Sequence, residues 1–536
     1  MRHRHDASPS PPTSPPQHRH HRHRHRRHRH RRNTTATVTV ATTATMQNYE
    51  VVVIGSGPAG KTAAIQAAKL GRKVAIVDDK SEVGGVCVHT GTIPSKTLRE
   101  TVLNLTGWRE RGFYGRSYRV KQDITAADLM RRLNMTLKRE VDILEDQLLR
   151  NGVDIICGHG RFTGAETIEV EPGAGAASDP LHLRAKRFII TVGTRTYRPE
   201  YVPFNGDTVI DSDEVTRMQY LPRSITVIGA GVVGVEYATI FNALDIAVTL
   251  IEPRDTMLDF LDKEILMHFR HDIVDAGLRL QFGQKVASIE VKPKTKTKTK
   301  TNSKATGGAG TSDSGAAATC VVRLESGRAF ASDMVLFAAG RVGATAALGL
   351  DGVGLEVDHR GRLSVNDTFQ TKVPHIYAAG DVIGFPSLAS TSMEQGRIAA
   401  LHALGETVHK SPAYFPYGIY AVPEMSTVGM SEEEVIARKI PYEVGITPLR
   451  ETSRGKVMGL DSGVIKAIFS TKSRRLLGVH IVGEGATELI HIGQAVLTLK
   501  GTLDYFLENA FNYPTLAEAY KVAALYAHNR MVALEN

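Results

Sequence analysis

The sequence predicts an α/β fold with two Rossmann-like domains and a smaller α+β domain at the C-terminus. Two observations lead to this prediction. An apolar strand, a glycine-rich turn and a helix follow one another at residues 49–70, and the same succession returns at residues 225–244. From about residue 414 onward, the chain has short apolar strands and two helical stretches. Because strands joined through helices form layered parallel sheets, each repeated unit predicts its own α/β domain.

The length and the net charge of the chain limit how many domains and which partners it can have. A chain of 536 residues can form about three domains of ordinary size. The formal net charge is +10, but ten Arg against one Asp stand in the first 32 residues, and six Lys stand in residues 292–304. The rest of the chain is slightly acidic, so we expect no specific nucleic-acid partner.

The cysteines and the N-terminal segment indicate the cellular compartment in which the protein is expected. Cys87, Cys157 and Cys320 have no spacing typical of a metal site or of a secreted disulfide framework, so we expect no metal and a cytoplasmic protein. No apolar run reaches the roughly 18 residues that a membrane span requires. Residues 1–47 are rich in His, Arg, Pro and Thr and predict a disordered tail. Their Arg content leaves an organelle-targeting peptide as the alternative.

The first glycine-rich turn is G-S-G-P-A-G at residues 55–60. Gly55 permits the tight turn, Gly57 lets the backbone approach a pyrophosphate, and Gly60 allows the helix to pack closely on the strand. The helix N-terminus offers free N–H groups to the phosphates. Asp78 closes the next strand 18 residues after Gly60, where a carboxylate can bind ribose hydroxyls. Together these features predict a dinucleotide site.

The second turn, G-A-G-V-V-G at residues 229–234, predicts a second dinucleotide site through Gly229, Gly231 and Gly234. Its next strand closes at Glu252, which suits the free 2′-hydroxyl of NAD(H). A 2′-phosphate, as in NADP(H), prefers a cation, which Arg254 could supply. The pair predicts a pocket that serves both cofactors. The alternative is that Arg254 is a solvated loop residue.

Other stretches complete the predicted organisation. Residues 124–150 have the apolar spacing of a long amphipathic helix. The Lys-Thr and Gly-Ala-Ser tract at 292–319 predicts a disordered insertion between the two strands of a hairpin.

Residues 83–96 read V-G-G-V-C-V-H-T-G-T-I-P-S-K. This stretch resembles the flavoprotein disulfide reductases, in which G-G-x-C-x-x-x-x-C-I-P-S-K contains two cysteines that form a redox disulfide beside the flavin. Cys87 is present here, but Thr92 stands in the second position, so a disulfide cannot form at this site. Those enzymes also carry a His as general base before a Pro near the C-terminus, where this chain has Tyr513. Dithiol exchange needs both missing groups, whereas hydride transfer through a flavin needs neither.

With these two departures the chain resembles the soluble, Si-specific pyridine nucleotide transhydrogenases over roughly residues 48–530. The resembling phrases are C-V-H-T-G-T-I-P-S-K (87–96), G-D-V-I-G-F-P-S-L-A-S (380–390) and F-N-Y-P-T (511–515). The resemblance implies the reaction NADPH + NAD⁺ ⇌ NADP⁺ + NADH, one non-covalent FAD per subunit, and a homodimer or higher oligomer.

The resemblance also implies roles for individual residues. Lys96 would lie near flavin N5, pair with Glu236 and stabilise the negative charge of reduced flavin. Asp381 would bind the ribitol of FAD, the alternative being a turn Asp that caps the next helix. Cys87 would pack against the flavin, and Tyr513 would shape the site across a dimer interface. The predicted catalytic residues are Lys96, Glu236 and Tyr513. The predicted cofactor contacts are Gly55, Gly57, Gly60, Asp78, Gly84, Gly85, Cys87, Thr92, Lys96, Gly160, Gly229, Gly231, Gly234, Glu252, Arg254, Gly340 and Asp381.

The predicted domains are an FAD domain from residues 48–197 and 341–410, an NAD(P) domain at 198–340 and a dimerisation domain at 411–536. Two other functions stay open at this stage. One is a dihydrolipoamide-dehydrogenase-like reductase, whose second thiol would be Cys157 or Cys320. The other is a flavin-bound interaction protein without turnover.

Overall fold

The computed structural model describes residues 46–173, 179–293, 318–408 and 412–535. Nearly all of the predicted tail, most of the predicted insertion and the predicted boundary at 410/411 lie outside the described residues. In the part of the chain that is described, no helix has both the length and the apolar character needed to cross a membrane.

Residues 47–196 form the first α/β unit. Its strands are β1 (Gln47–Ile54), β2 (Val74–Asp78), β3 (Val153–Cys157), β4 (His159–Gly164), β5 (Thr167–Glu171), β6 (Leu181–Ile190) and β7 (Thr194–Thr196). Its helices are α1 (Pro58–Lys69), α2 (Gly85–His89), α3 (Thr92–Thr106), α4 (Arg111–Tyr114) and α5 (Ala126–Arg150). The sheet order is β3-β2-β1-β6-β5-β4, parallel from β3 to β6 and antiparallel beyond.

Residues 209–337 form the second α/β unit. Its strands are β8 (Val209–Asp211), β9 (Ser224–Ile228), β10 (Ala247–Glu252), β11 (Arg279–Phe282), β12 (Val286–Pro293), β13 (Ala318–Leu324), β14 (Ala329–Ser332) and β15 (Met334–Phe337), and its helices are α6 (Val232–Ala243) and α7 (Lys263–Asp275). A parallel sheet runs β11-β10-β9-β15-β8, and β12-β13-β14 form a separate antiparallel sheet.

The chain then returns to the first unit. The elements here are β16 (Arg341–Gly343), β17 (Ile376–Ala378) and α8 (Ala389–Ala403). β17 adds to β6 in parallel, while β16 pairs with β7. Helix α8 packs closely on α1, because a Cβ at Gly396 would lie only 2.1 Å from the carbonyl oxygen of Ala59.

The C-terminal unit is α+β. Its strands are β18 (Tyr417–Ile419), β19 (Met425–Gly429), β20 (Tyr442–Pro448), β21 (Val464–Ser470) and β22 (Leu476–Val482), and its helices are α9 (Glu432–Ala437), α10 (Ser453–Met458), α11 (Ala486–Thr498), α12 (Leu503–Glu508) and α13 (Glu518–Glu535). The strands form one antiparallel sheet in the order β18-β19-β22-β21-β20. The sequence predicted two helical stretches here. Three of the five helices have only six residues, too few to show a helical period.

The predicted α/β class is confirmed, and three local predictions need correction. The stretch 83–96, for which the sequence predicted no helix, contains α2 and the start of α3. Pro94 is compatible with α3 because it lies in the first turn, where its missing N–H has no helical partner to lose. The predicted insertion is shorter than 292–319, since Lys292 pairs with Thr319 and Pro293 with Ala318 in the hairpin ladder. The long helix begins at Ala126, where Thr125 and Asp128 form a capping box.

Candidate functional site

A cavity of about 920 Å³ lies where the first unit, helix α6 and the C-terminal unit meet. Its size is at the upper end of the range typical of small-molecule sites. Ten of the residues predicted from sequence line it: Gly55, Gly57, Asp78, Gly85, Cys87, Thr92, Lys96, Gly160, Glu236 and Asp381. These residues come from distant parts of the chain, and the fold brings them together around one space.

The first glycine turn has the geometry that its sequence predicts. Gly55 has φ +105°, a conformation that favours glycine. A Cβ at Gly60 would lie 1.8 Å from the Gly55 carbonyl oxygen, so Gly60 is a packing position and does not line the cavity. Gly57 differs from both, because a Cβ there would meet no atom within 4 Å. The space above Gly57 is therefore open to a ligand that approaches the backbone.

Asp78 and Ser56 organise the wall beside this turn. Asp78 Oδ2 accepts hydrogen bonds from the backbone N–H and the hydroxyl of Ser56, at 2.7 and 2.5 Å. Ser56 Oγ in turn accepts from the backbone N–H of Gly84 at 2.9 Å. Ser56 thus connects the turn, the end of β2 and the start of α2. This role was not predicted from the sequence, where Ser56 occupies the variable position of the glycine pattern.

The residues of this half of the cavity fit FAD. The open backbone at Gly57, at the N-terminus of α1, is suited to a pyrophosphate. Thr90 Oγ1 lines the cavity, is buried, and has no hydrogen-bond partner within the protein. A buried hydroxyl without a partner is costly, so a polar ligand group near Thr90 would satisfy it.

Cys87 and Thr92 lie together in the cavity wall. Burial raises the pKa of the Cys87 thiol, while its hydrogen bond to Thr92 acts in the opposite direction. A raised pKa keeps Cys87 in the thiol form, which is the less reactive one. The other two cysteines do not line the cavity: Cys157 is exposed at the end of β3, and Cys320 is buried in β13, where its Sγ donates to the carbonyl oxygen of Thr208.

Lys96 and Glu236 form an ion pair inside the cavity. The Lys96 ammonium donates to both carboxylate oxygens of Glu236, at 2.8 and 2.7 Å. The Glu236 side chain is 5% exposed and that of Lys96 is 27% exposed. The predicted contact is therefore present, joining α3 of the first unit to α6 of the second. The catalytic role of both residues stays a prediction.

Two tyrosines of the C-terminal unit border this ion pair and were missed by the sequence analysis. Tyr420 donates its backbone N–H to Glu236 Oε1 at 2.9 Å, and its ring centroid lies 4.8 Å from Lys96 Nζ. Burial, with the nearby carboxylates of Glu236 and Asp381, raises the pKa of Tyr417 to about 12. No local pattern in the sequence connects either tyrosine with Lys96, which lies more than 300 residues earlier in the chain.

Asp381 lines the cavity at the start of a single 3₁₀ turn, Asp381–Ile383. Burial raises its pKa, opposed by Arg341 and by a hydrogen bond with Ser392 of α8. The alternative that Asp381 caps the next helix is wrong, since the N-cap of α8 is Leu388. Its contact with the ribitol of FAD stays a prediction.

The second glycine turn repeats the geometry of the first. Gly229 has φ +102°, and a Cβ at Gly234 would lie 1.9 Å from the Gly229 carbonyl oxygen. A Cβ at Gly231 would meet no atom within 4 Å. Glu252 Oε2 accepts from the Ala230 backbone N–H at 2.6 Å, as Asp78 accepts from Ser56. These residues lie outside the lining of the cavity, as do Gly84 and Gly340.

Arg254 is an ion-paired residue. Its Nε donates to Glu252 Oε1 at 2.9 Å and its Nη1 to Asp259 at 3.0 Å. Glu252 is 4% exposed, whereas the Arg254 side chain is 46% exposed, so the guanidinium lies at the surface of the turn. Hydrogen bonds from Arg254 and Ala230 outweigh burial and lower the pKa of Glu252, which keeps it ionised.

Tyr513 does not line the cavity of its own chain. It is 70% exposed, and its hydroxyl accepts a hydrogen bond from Ser453 Oγ at 2.7 Å. Its predicted contribution to the site of a partner subunit stays a prediction.

Comparison with known families agrees with this geometry. Residues 49–396 match the family described as pyridine nucleotide-disulphide oxidoreductase, and residues 415–524 match its dimerisation domain. The chain belongs to the pyridine nucleotide-disulphide oxidoreductase family. The dimerisation domain of this family indicates that the protein self-associates.

Several curated members of the family are similar over nearly their whole length. The soluble pyridine nucleotide transhydrogenase of Mycobacterium tuberculosis (strain ATCC 25177 / H37Ra) is 48% identical over 489 residues, which are 91% of this chain and 99% of that protein. A protein of the same name from Marinomonas sp. (strain MWYL1) is 40% identical, covering 91% and 100%. Another from Escherichia coli O9:H4 (strain HS) is 38% identical, covering 90% and 99%.

Two solved structures share the fold. LpdA from Mycobacterium tuberculosis superposes with a TM-score of 0.77 at 25% identity, covering 89% of this chain and 99% of LpdA. The Cu(II) complex of RclA, an HOCl-induced flavoprotein disulfide reductase from Escherichia coli, has the same TM-score and identity and covers 90% and 100%.

Proposed function

We propose that this protein transfers a hydride between NADPH and NAD⁺ through a bound FAD and without a redox disulfide. The observation that carries the proposal is the composition of the cavity. It contains the Lys96–Glu236 ion pair and a site that fits FAD, but Cys87 is the one thiol among its lining residues. The name shared by the relatives with 38–48% identity supports the same reaction.

A bound FAD supplies the two-electron carrier, and the protein supplies binding, orientation and charge. The backbone at Gly57 and the hydroxyl of Thr90 would hold the polar groups of FAD. Lys96 places a positive charge in the cavity, where its partly buried ammonium acts more strongly than it would in water. Glu236 is buried and acts through Lys96 by fixing its ammonium group.

A lipoamide-type reductase is disfavoured by the positions of the other thiols. Such an enzyme needs a second sulfur next to Cys87 to form a disulfide, with Cα atoms usually about 4.4–6.8 Å apart. Cys157 and Cys320 lie outside the cavity lining, in β3 and in the antiparallel sheet of the second unit. The raised pKa of the Cys87 thiol also argues against a nucleophilic role.

An anaerobic titration of the purified protein tests the reaction. NADPH is expected to bleach the flavin absorbance, and NAD⁺ added afterwards is expected to restore it. Because no thiol takes part, Cys87→Ser should retain transhydrogenation within about threefold of the wild type. Loss of hydride transfer in Cys87→Ser, or faster turnover with lipoamide than with a reducible NAD analogue, would contradict the proposal. A flavin that NADPH fails to bleach would instead favour the interaction protein without turnover.

Cofactor discrimination at the second glycine turn gives a separate prediction. Arg254 forms an ion pair with Glu252 and carries a surface-exposed guanidinium. Arg254→Ala is expected to raise the KM for NADPH about tenfold and to change the KM for NADH by less than about threefold, because only NADPH carries a 2′-phosphate. Steady-state kinetics with both cofactors measure this. Arg323→Ala is the control, because the Arg323 side chain is about as exposed as that of Arg254 and also lies 2.9 Å from a Glu partner. Equal changes in KM for the two cofactors would show that Arg254 does not bind the 2′-phosphate.

We further propose that the self-associated form is a homodimer or a higher oligomer in which Tyr513 approaches the site of the partner subunit. The exposure of Tyr513 and of Tyr505, both in the C-terminal unit, supports such an interface. Exposed large apolar side chains are typical of association surfaces.

A further inference from the structure

We propose that Tyr420 is a positioning residue that holds the Lys96 ammonium in its working place. This inference rests on the proposed function, because it concerns the charge that the site offers to FAD. Tyr420 belongs to the C-terminal unit, directly after β18, while Lys96 belongs to α3 of the first unit. The contact between them is therefore a product of the packing of the two units.

Lys96 needs more than its carboxylate partner to be fixed. A lysine side chain has four rotatable bonds, and Lys96 is 27% exposed. Glu236 binds the ammonium from one side. The Tyr420 ring covers it from another, with 4.8 Å between Nζ and the ring centroid. This distance is within the range of a cation–π interaction, which strengthens when the cation is partly desolvated.

The same tyrosine also fixes the carboxylate. Its backbone N–H donates to Glu236 Oε1 at 2.9 Å, an oxygen that also accepts from Lys96. Tyr420 therefore contacts both members of the ion pair, one through its ring and the other through its backbone. A side-chain substitution removes the first contact and leaves the second in place.

Further contacts fix the Tyr420 ring itself. The Thr487 side chain lies beside the ring, and Thr487 Oγ1 donates to Glu424 at 2.8 Å. Glu424 forms an ion pair with Arg99 at 3.1 Å, and Arg99 lies one turn after Lys96 on α3. These contacts connect Tyr420 to α3, the helix that contains Lys96, and so restrict the motion of the ring relative to Lys96.

The test is a set of four proteins: wild type, Tyr420→Leu, Lys96→Met and the double variant, with Tyr420→Phe as the conservative control. The midpoint potential of bound flavin is measured by chemical reduction without any nicotinamide, so the result does not depend on the transhydrogenase reaction. Tyr420→Leu is expected to lower the potential, since a less fixed ammonium stabilises reduced flavin less. Tyr420→Phe keeps the ring and should stay close to the wild type. Flavin reduction by NADPH should slow about three- to thirtyfold in Tyr420→Leu.

The double variant decides whether Tyr420 acts through Lys96. In the Lys96→Met background, Tyr420→Leu should produce no further change in potential, because the group that it positions is gone. An equal shift in both backgrounds would overturn the proposal. So would an unchanged potential in Tyr420→Leu, or a Tyr420→Phe protein that shifts as far as Tyr420→Leu, since the hydroxyl would then matter and the ring would not.

Discussion

Lys96→Met is expected to slow the reduction of bound flavin by NADPH about 100- to 1,000-fold, the usual effect of removing one preorganised charge-stabilising group. Its ammonium faces the cavity and is bound by a carboxylate that is 5% exposed. The substitution removes the positive charge and leaves the negative charge of Glu236 uncompensated. Both changes disfavour a negatively charged reduced flavin. Stopped-flow absorbance under anaerobic conditions measures the rate.

Stability separates the catalytic effect from a structural one. Glu236 keeps its hydrogen bond from Tyr420 in Lys96→Met, so we expect a loss of about 1–3 kcal/mol in the free energy of unfolding. Adding Glu236→Gln removes the unpaired charge and should recover most of this stability without restoring the rate. Lys372→Met is the matched control, because Lys372 forms an ion pair of the same 2.7 Å length on the surface. A Lys96→Met protein with normal flavin reduction would contradict the assigned role.

Gly57→Ala is expected to yield a protein that folds normally but is purified with little or no flavin. A Cβ at Gly57 meets no protein atom within 4 Å, and its φ of −62° suits any residue, so the unliganded chain should accept the methyl group. The same methyl group would occupy the space that a pyrophosphate needs to approach the backbone. The ratio of flavin to protein absorbance and the denaturant midpoint of the apoprotein measure the two effects.

Two other glycines are the controls for this prediction. Gly231→Ala makes the equivalent change in the second turn, where a Cβ is equally free, and should weaken NAD(P)H binding while flavin content stays normal. Gly60→Ala places a Cβ 1.8 Å from a backbone oxygen and should destabilise the fold itself. Normal flavin content in Gly57→Ala would show that the ligand does not approach the backbone there.

Much of the fold could be predicted from local patterns. The geometry of each glycine turn depends on residues that are close in sequence. Gly55 and Gly229 have a positive φ. Gly60 and Gly234 lie close to the carbonyl oxygen of the glycine five residues before them. Strands β21 and β22 also have a local signal, since five of the seven residues in each are Ala, Val, Leu, Ile or Phe. The helices in 83–96 were missed because the stretch is short, and glycine and proline interrupt its period.

For the site, the sequence by itself determined which chemistry is possible. The chain has Thr92 in place of a cysteine and Tyr513 in place of a histidine, and these residue types do not depend on how the chain folds. Only the tertiary structure decided which groups meet. Ser56 joins Asp78 to Gly84, and Tyr420 covers Lys96, through contacts between residues 22 to more than 300 positions apart. The packing of sheets and helices sets such distances, whereas spacing along the chain reports on neighbours within one element.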